Sequence, residues 1–333
     1  MEFLDFFLRA YSSLLGSMEN TLQNDDVDTA PDIMETGGEA ATAISAPAKS
    51  RHRSYFKQVG NNLIIEWRIF KKPIVFSWII VGCIMQWVHN IAHNYVYYLA
   101  GQYGVYGGPE DQLTDLGFEA FPDWSNLKFL PSNGCLYSLG IIAFVIAVSP
   151  IFSLGGNRCI LRSPKISSVQ ILWRALICVS VAVVFRCVSF LITILPAPAP
   201  QCAEATFNPP NTVSEILFHF DTENGCSDLI FSSHMMYGLT AVSIVTLYIH
   251  LGLKDAKESG YAVGKWEKRS KVGLIVFCWL LVLMEGFSII CQERHYSIDV
   301  WNALYVVPMI WIVFYHFYPT DPAAFHVSPE TPS

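Results

Sequence analysis

Val169-Gln-Ile-Leu-Trp-Arg-Ala-Leu-Ile-Cys-Val-Ser-Val-Ala-Val-Val-Phe-Arg-Cys-Val-Ser-Phe-Leu-Ile-Thr-Ile-Leu195 is long and apolar enough to cross a bilayer, which takes about 20 residues. Five more stretches of the same kind flank it: Pro73 to Ala100, Cys135 to Leu154, Leu229 to Leu253, Val272 to Cys291 and Asp299 to Tyr318. The 333-residue chain is 52% apolar and 15% charged, a composition that excludes a large water-soluble core. The expected fold class is therefore an all-α membrane protein, a six-transmembrane-helix bundle.

Orientation follows from the cations. Of 21 lysines and arginines, eight precede the first span, three lie in the second connection (Arg158, Arg162, Lys165) and six in the fourth (Lys254, Lys257, Lys265, Lys268, Arg269, Lys271). Lys128 and Arg294 fall on the opposite side, so the positive-inside rule predicts cytosolic N- and C-termini. The first and third connections, predicted to face the lumen or exterior, are acidic. With its sign split across the bilayer, the net charge of -7 argues for no nucleic-acid partner.

The expected organisation is a cytosolic tail over 1–50, a basic juxtamembrane segment over 51–72, a catalytic membrane domain over 73–318 and a second tail over 319–333. Glu2 to Tyr11 is amphipathic and reads either as a short interfacial helix or as tail; Glu19 to Ala48 has the composition of a disordered segment. No apolar run follows a basic start, so no cleavable signal peptide is expected. Cys202 and Cys226 both fall in the third connection, where a disulfide would close the loop. Cys135 and Cys291 approach the same face, and the sequence leaves the connectivity open.

Two short stretches carry chemistry: Cys226-Ser-Asp-Leu-Ile-Phe-Ser-Ser-His234 and His295-Tyr-Ser-Ile-Asp299. A fourth helix starting near Leu229 puts His234 five residues in, about 7 Å below the interface. Asp228, Ser232 and Ser233 have the character of helix-start residues, and a helix N-terminus offers N–H groups and a positive dipole end to a phosphate. His295 and Asp299, four apart, are expected to share a face, so that the carboxylate accepts the imidazole N–H. Taken singly, each histidine also fits a satisfied core or capping residue; together on one membrane face they point to phosphoryl chemistry. Arg186 lies about 15 Å before the end of its span at Pro196, too deep to snorkel. It is expected to face the bundle interior, either paired with Glu285 or holding a phosphate or carboxylate. His89, Asn90, His93 and Asn94 line a polar face of the first span. The i to i+4 histidines have zinc-ligand spacing but no evident third ligand, so the expectation is no metal.

At these residues the chain resembles the sphingomyelin synthase family, relatives of the lipid phosphate phosphatases. Four patches match in order: Gln112-Leu-Thr-Asp115 with Leu116-Gly-Phe118; Arg186 to Thr193 with Leu195-Pro-Ala-Pro198; Cys226 to Met235; and His295 to Val300. The resemblance covers about Lys72 to Tyr318. Gln112 and Thr114 stand where the family has prolines, Ser227 and Ser233 where it has glycines, and Met235 where it has threonine. A side chain at Ser233 crowds a backbone that a glycine lets approach phosphate.

The resemblance implies transfer of a phosphoalcohol headgroup from a glycerophospholipid to the primary hydroxyl of ceramide, with diacylglycerol released and no cofactor. It implies His295 as the nucleophile oriented by Asp299, and His234 as the acid and base. Asp228, Arg186, Asp115, Ser232, Arg294 and Tyr296 are then the expected substrate contacts. Arg294 stands where choline-transferring relatives carry an acid, and its charge disfavours cationic headgroups. Trp124 and Tyr296 would favour a quaternary amine if they reached the site. Choline, ethanolamine and inositol stay open at this point, as do headgroup exchange onto diacylglycerol, hydrolysis and a non-enzymatic lipid-binding role. The implied setting is the Golgi, plasma membrane or endoplasmic reticulum, with the site on the lumenal or exoplasmic face, as a monomer or homo-oligomer.

Overall fold

The computed structural model describes residues 48–108, 110–125, 131–152, 161, 166–199, 202–203, 207–220, 225–258, 260 and 263–317. The interfacial helix over Glu2 to Tyr11, the acidic segment up to residue 47 and the tail over 319–333 lie outside these residues. Contacts divide the chain into Met1–Asn61 and Asn62–Ser333, and the second unit carries the bundle.

The elements in order are α1 (Ala48–Phe70), α2 (Pro73–Tyr103), α3 (Leu116–Ala120), α4 (Pro131–Val148), α5 (Ser168–Ile192), α6 (Val213–Phe218), α7 (Ser233–Glu258), α8 (Lys265–Cys291) and α9 (Ser297–Phe317). Of the described residues 75% are helical and none is in a strand. Among them six helices are long and apolar enough to cross a membrane: α2, α4, α5, α7, α8 and α9. The all-helical six-span expectation is borne out. Helix α1 is an addition, because the basic segment read as a juxtamembrane connection is helical.

Local chemistry sets the helix ends. Pro73 opens α2 in the first turn, where its missing N–H costs nothing, and Gly104 closes it at φ 65°, returning its N–H to Ala100 O. At the start of α5, Ser167 accepts from Gln170 N. Glu66 reaches in from α1 to accept from Ser168 N and Val169 N, each at 2.9 Å. A carboxylate on two free amides at the positive end of a 25-residue helix is a favourable arrangement. Burial still pushes the Glu66 carboxyl above its ordinary range, against the lowering effect of those hydrogen bonds.

Helix α7 is the axis of the bundle. It packs against α4, α5, α8 and α9, and 72% of its membrane window is buried inside the protein, against 11% for α2. With no hydrophobic drive between helices in lipid, such contacts rest on close packing. Gly238 illustrates it: a side chain there would run into the Glu285 carboxyl of α8. Several boundaries differ from the expected ones: α8 begins at Lys265 and not Val272, α4 ends at Val148 and not Leu154, and α7, whose start positions the site, begins at Ser233 and not near Leu229. Residues 225–232 instead form an irregular, largely buried approach to the helix.

Candidate active site

The ends of α2, α5 and α8 and the starts of α4, α7 and α9 supply one cluster of polar side chains. Its first half is built around Arg186, which is 1% exposed near the end of α5. An uncompensated guanidinium at that depth is costly, so the fold must give it partners. It pairs with the Asp228 carboxylate, donates to the Asp228 carbonyl at 2.7 Å, and donates through Nε to His89 at 3.2 Å. The partner is thus Asp228 from the α7 approach, and the expected alternative of a pair with Glu285 is corrected. Both Glu285 oxygens lack a hydrogen-bond partner among the described residues.

Asp228 is held from several sides. The Tyr97 hydroxyl lies 3.2 Å from its Oδ1, His93 Nε2 stands 3.6 Å from its Oδ2, and the Tyr97 oxygen also accepts from Cys226 N at 2.8 Å. Cys226 is joined to Cys202, settling the pairing that the sequence left open. Burial works to raise the Asp228 carboxyl, but the charges of His93 and Arg186 outweigh it and hold the group well below the usual carboxylate range. The histidine pair of α2 is used for these contacts, while Asn94 donates to the carbonyls of Ile216 and His219 and fastens α6 to α2.

The second half contains the two catalytic candidates. His234 is in the first turn of α7, not five residues inside it, and its Nε2 lies 3.0 Å from Asn133 Oδ1 at the start of α4. Charges of His295, Arg294, Arg186 and Asp228 all act on it, so the two histidines share one electrostatic environment. His295 is buried in the turn before α9, so the expected shared helix face with Asp299 is not how they meet. The chain bends back at Glu293, φ 50°, and brings His295 Nδ1 to 3.6 Å from Asp299 Oδ2. That is ion-pair range but too long for the expected hydrogen bond. Asp299 Oδ2 accepts from Tyr296 N at 3.0 Å, and its main-chain carbonyl lies 3.4 Å from Ser232 N, tying the mouths of α7 and α9 together.

The remaining candidates separate by what they touch. Asp115 accepts from Gly117 N, Ser297 N and Ser297 Oγ, so its carboxylate is occupied in joining α3 to the start of α9. The Tyr296 hydroxyl donates to Pro196 O at 2.7 Å and receives Leu113 N at 3.0 Å, which fixes three connections to one another. Trp124 stacks edge-on against Phe287. Ser232 Oγ, His295 Nδ1, Asp299 Oδ1 and Arg186 Nη1 are buried without a hydrogen-bond partner among the described residues. Those four, with Gln292 Nε2 beside them, are groups left for a bound anion or a proton transfer. Asn133 and Tyr97 escaped the sequence reading, because a lone amide at a span start and a tyrosine inside an apolar span carry no pattern of their own.

Residues 225–317 match the family described as PAP2 superfamily C-terminal. The chain is 30% identical over 240 residues to a phosphatidylinositol:ceramide inositolphosphotransferase of Oryza sativa subsp. indica, covering 70% of this chain and 63% of that protein. It is 26% identical over 239 residues to phosphatidylinositol:ceramide inositolphosphotransferase 3 of Arabidopsis thaliana, covering 70% and 71%. It is 28% identical over 144 residues to sphingomyelin synthase-related 1 of Caenorhabditis elegans, covering 40% and 26%. The chain thus spans a little under two thirds of the rice relative's length. These matches bear out the resemblance that the four sequence patches carry.

Proposed function

We propose that this chain, a PAP2-superfamily homologue of ceramide phosphotransferases, moves the phosphoinositol headgroup of phosphatidylinositol to the primary hydroxyl of ceramide and releases diacylglycerol. The observation that carries the reading is the buried cluster itself: two histidines, one beside a carboxylate, next to an arginine with a free Nη1. Arg186 binds the donor phosphate while Asp228 keeps the guanidinium fixed. His295 Nε2 attacks phosphorus; the P–N bond forms as the bond to the diacylglycerol oxygen breaks, and His234 gives that oxygen its proton. Asp299, 3.6 Å from Nδ1, offsets the charge that grows on the imidazole. In the second half His234 takes the ceramide hydroxyl proton, the oxygen attacks phosphorus and the P–N bond breaks. Asn133 holds one nitrogen of His234 and leaves the other for this exchange.

Two observations support inositol over a cationic headgroup. Arg294 directly precedes His295, and its charge reaches His234. The polar groups beside the histidines, Asn133 and the Ser132–Gln292 pair, are neutral and suit a polyol. The cation distribution supports cytosolic termini and a lumenal site, with 73–318 as the catalytic domain. The test is purified protein in liposomes with fluorescent ceramide and one donor lipid at a time, run beside His295→Ala. A His295-dependent inositol phosphoceramide is expected from phosphatidylinositol. A product from phosphatidylcholine alone would overturn the headgroup, and donor cleavage with no ceramide product would make the protein a phosphatase.

A further inference from the structure

The helix faces that carry Asn133 and His234 continue into the membrane as a groove. On α4 that face runs Asn133, Tyr137, Gly140, Ile141, Phe144; on α7 it runs His234, Tyr237, Ala241. Spacings of three and four, with Gly140 and Ile141 adjacent, keep each set on one side of its helix. From Tyr137 and Tyr237 inward they line a concavity of ≈ 560 Å³ between α4 and α7. The His234–Asn133 contact lies on the same two helix faces about one turn before it, and the span from Asn133 to Phe144 is roughly 16 Å at the helical rise. Tyr137, Ile141 and Phe144 stand exposed as one wall, buried Ala241 contributes the floor, and Tyr237 is held in place by a 2.9 Å hydrogen bond to Gln86. The groove is shallow and open on its outer side, and it is widened where position 140 has no side chain: a Cβ there would meet nothing within 4 Å.

We propose that this groove seats a hydrocarbon chain of ceramide while its primary hydroxyl faces His234, an inference that rests on the transferase reading. Ceramide is the occupant because of how the two substrates are held. The donor is fixed through its phosphate by Arg186 and His295. Ceramide carries no charge, so apart from its small polar head it depends on chain contacts for position. An open apolar groove that begins about one turn from the base that takes its proton, on the same helix faces, supplies them. In lipid such binding comes from packing and not from escape from water, so it reads chain length and shape.

The experiment fills the groove without touching the fold. Gly140→Phe introduces a ring into open space; Gly273→Phe, on α8, does the same where a Cβ also meets nothing within 4 Å, and serves as control. Each is assayed with phosphatidylinositol and ceramides of short and long acyl chain, and labelled with a photoactivatable long-chain ceramide followed by peptide mapping. Gly140→Phe is expected to raise KM for long-chain ceramide about fivefold, the scale of a few lost packing contacts, with short-chain ceramide and Gly273→Phe near wild type. Label is expected on residues 136–144 of the wild type and lost in Gly140→Phe. Unchanged chain-length preference in a folded Gly140→Phe protein, or label elsewhere, overturns the groove. An equal slowing with every ceramide assigns it to the donor and overturns the proposal too. Label on 136–144 without any phosphoceramide product upholds the groove and removes the transferase reading instead.

Discussion

The two halves of the site are built on opposite principles. Around Asp228 nearly every polar atom has a partner: arginine, tyrosine, histidine and a disulfide-tethered main chain converge on one carboxylate. Around His295 the imidazole Nδ1, one oxygen of Asp299 and the Ser232 hydroxyl have no hydrogen-bond partner among the described residues. Buried polar groups without partners cost stability, so a fold keeps them where chemistry requires them. The saturated half is the mount and the unsaturated half is the tool, with Arg186 Nη1 reaching from the one toward the other. Damage to the mount should appear as lost stability, with lost turnover as well where Arg186 is changed, and damage to the tool as lost turnover alone.

The largest effect should come from the second half. His295→Ala is expected to lower headgroup transfer by about 10⁴-fold or more, since the nucleophile is gone, with an unfolding midpoint in detergent near wild type. Arg186→Met tests the mount: it leaves the buried Asp228 unpaired and is expected to cost about 3–5 kcal/mol in denaturant titration, as broken buried pairs do. A variant as stable as wild type would show that Asp228 has other sufficient partners. Asp299→Asn should fold and lose about 10²-fold in transfer, the scale of general acid–base support; full activity would remove Asp299 from the chemistry. Glu285→Met probes a carboxyl that belongs to neither half. It should raise stability by about 1 kcal/mol or more, because an unpartnered buried polar group is removed, and leave transfer unchanged.

The smallest effect is in pH. The folded Asp228 carboxyl titrates below its unfolded value of about 3.9. Its contribution is therefore fully present above that value and lost as pH falls through it. Between pH 5 and 8 the pair should add no slope to stability, while below about pH 4 wild type should lose stability faster than Asp228→Asn. A slope near neutrality that vanishes in Asp228→Asn would contradict the low carboxyl.

Much of this was legible from residues alone, and what was not has physical reasons. The six spans are written in runs whose length the bilayer dictates, so their number and order follow from hydropathy. The start of α7 does not, because Leu229 to Phe231 are apolar like the helix, yet the segment around them is held out of it by the disulfide at Cys226 and by partners on α2, α5 and α9. Arg186 had to face inward on cost alone. Its partner lies 42 residues on, a separation that carries no local signal. The spacing of His295 and Asp299 correctly brought them together, yet by a turn and not by a helix face.

The Cys202–Cys226 bridge also links two stretches of chain that the buried ion pair brings together. One is the connection after α5, the helix that carries Arg186, and the other is the approach to α7, which carries Asp228 two residues beyond Cys226. The main chain at Cys226 is also held by the Tyr97 hydroxyl. The two partners of the buried ion pair are therefore leashed to each other by sulfur as well as by charge.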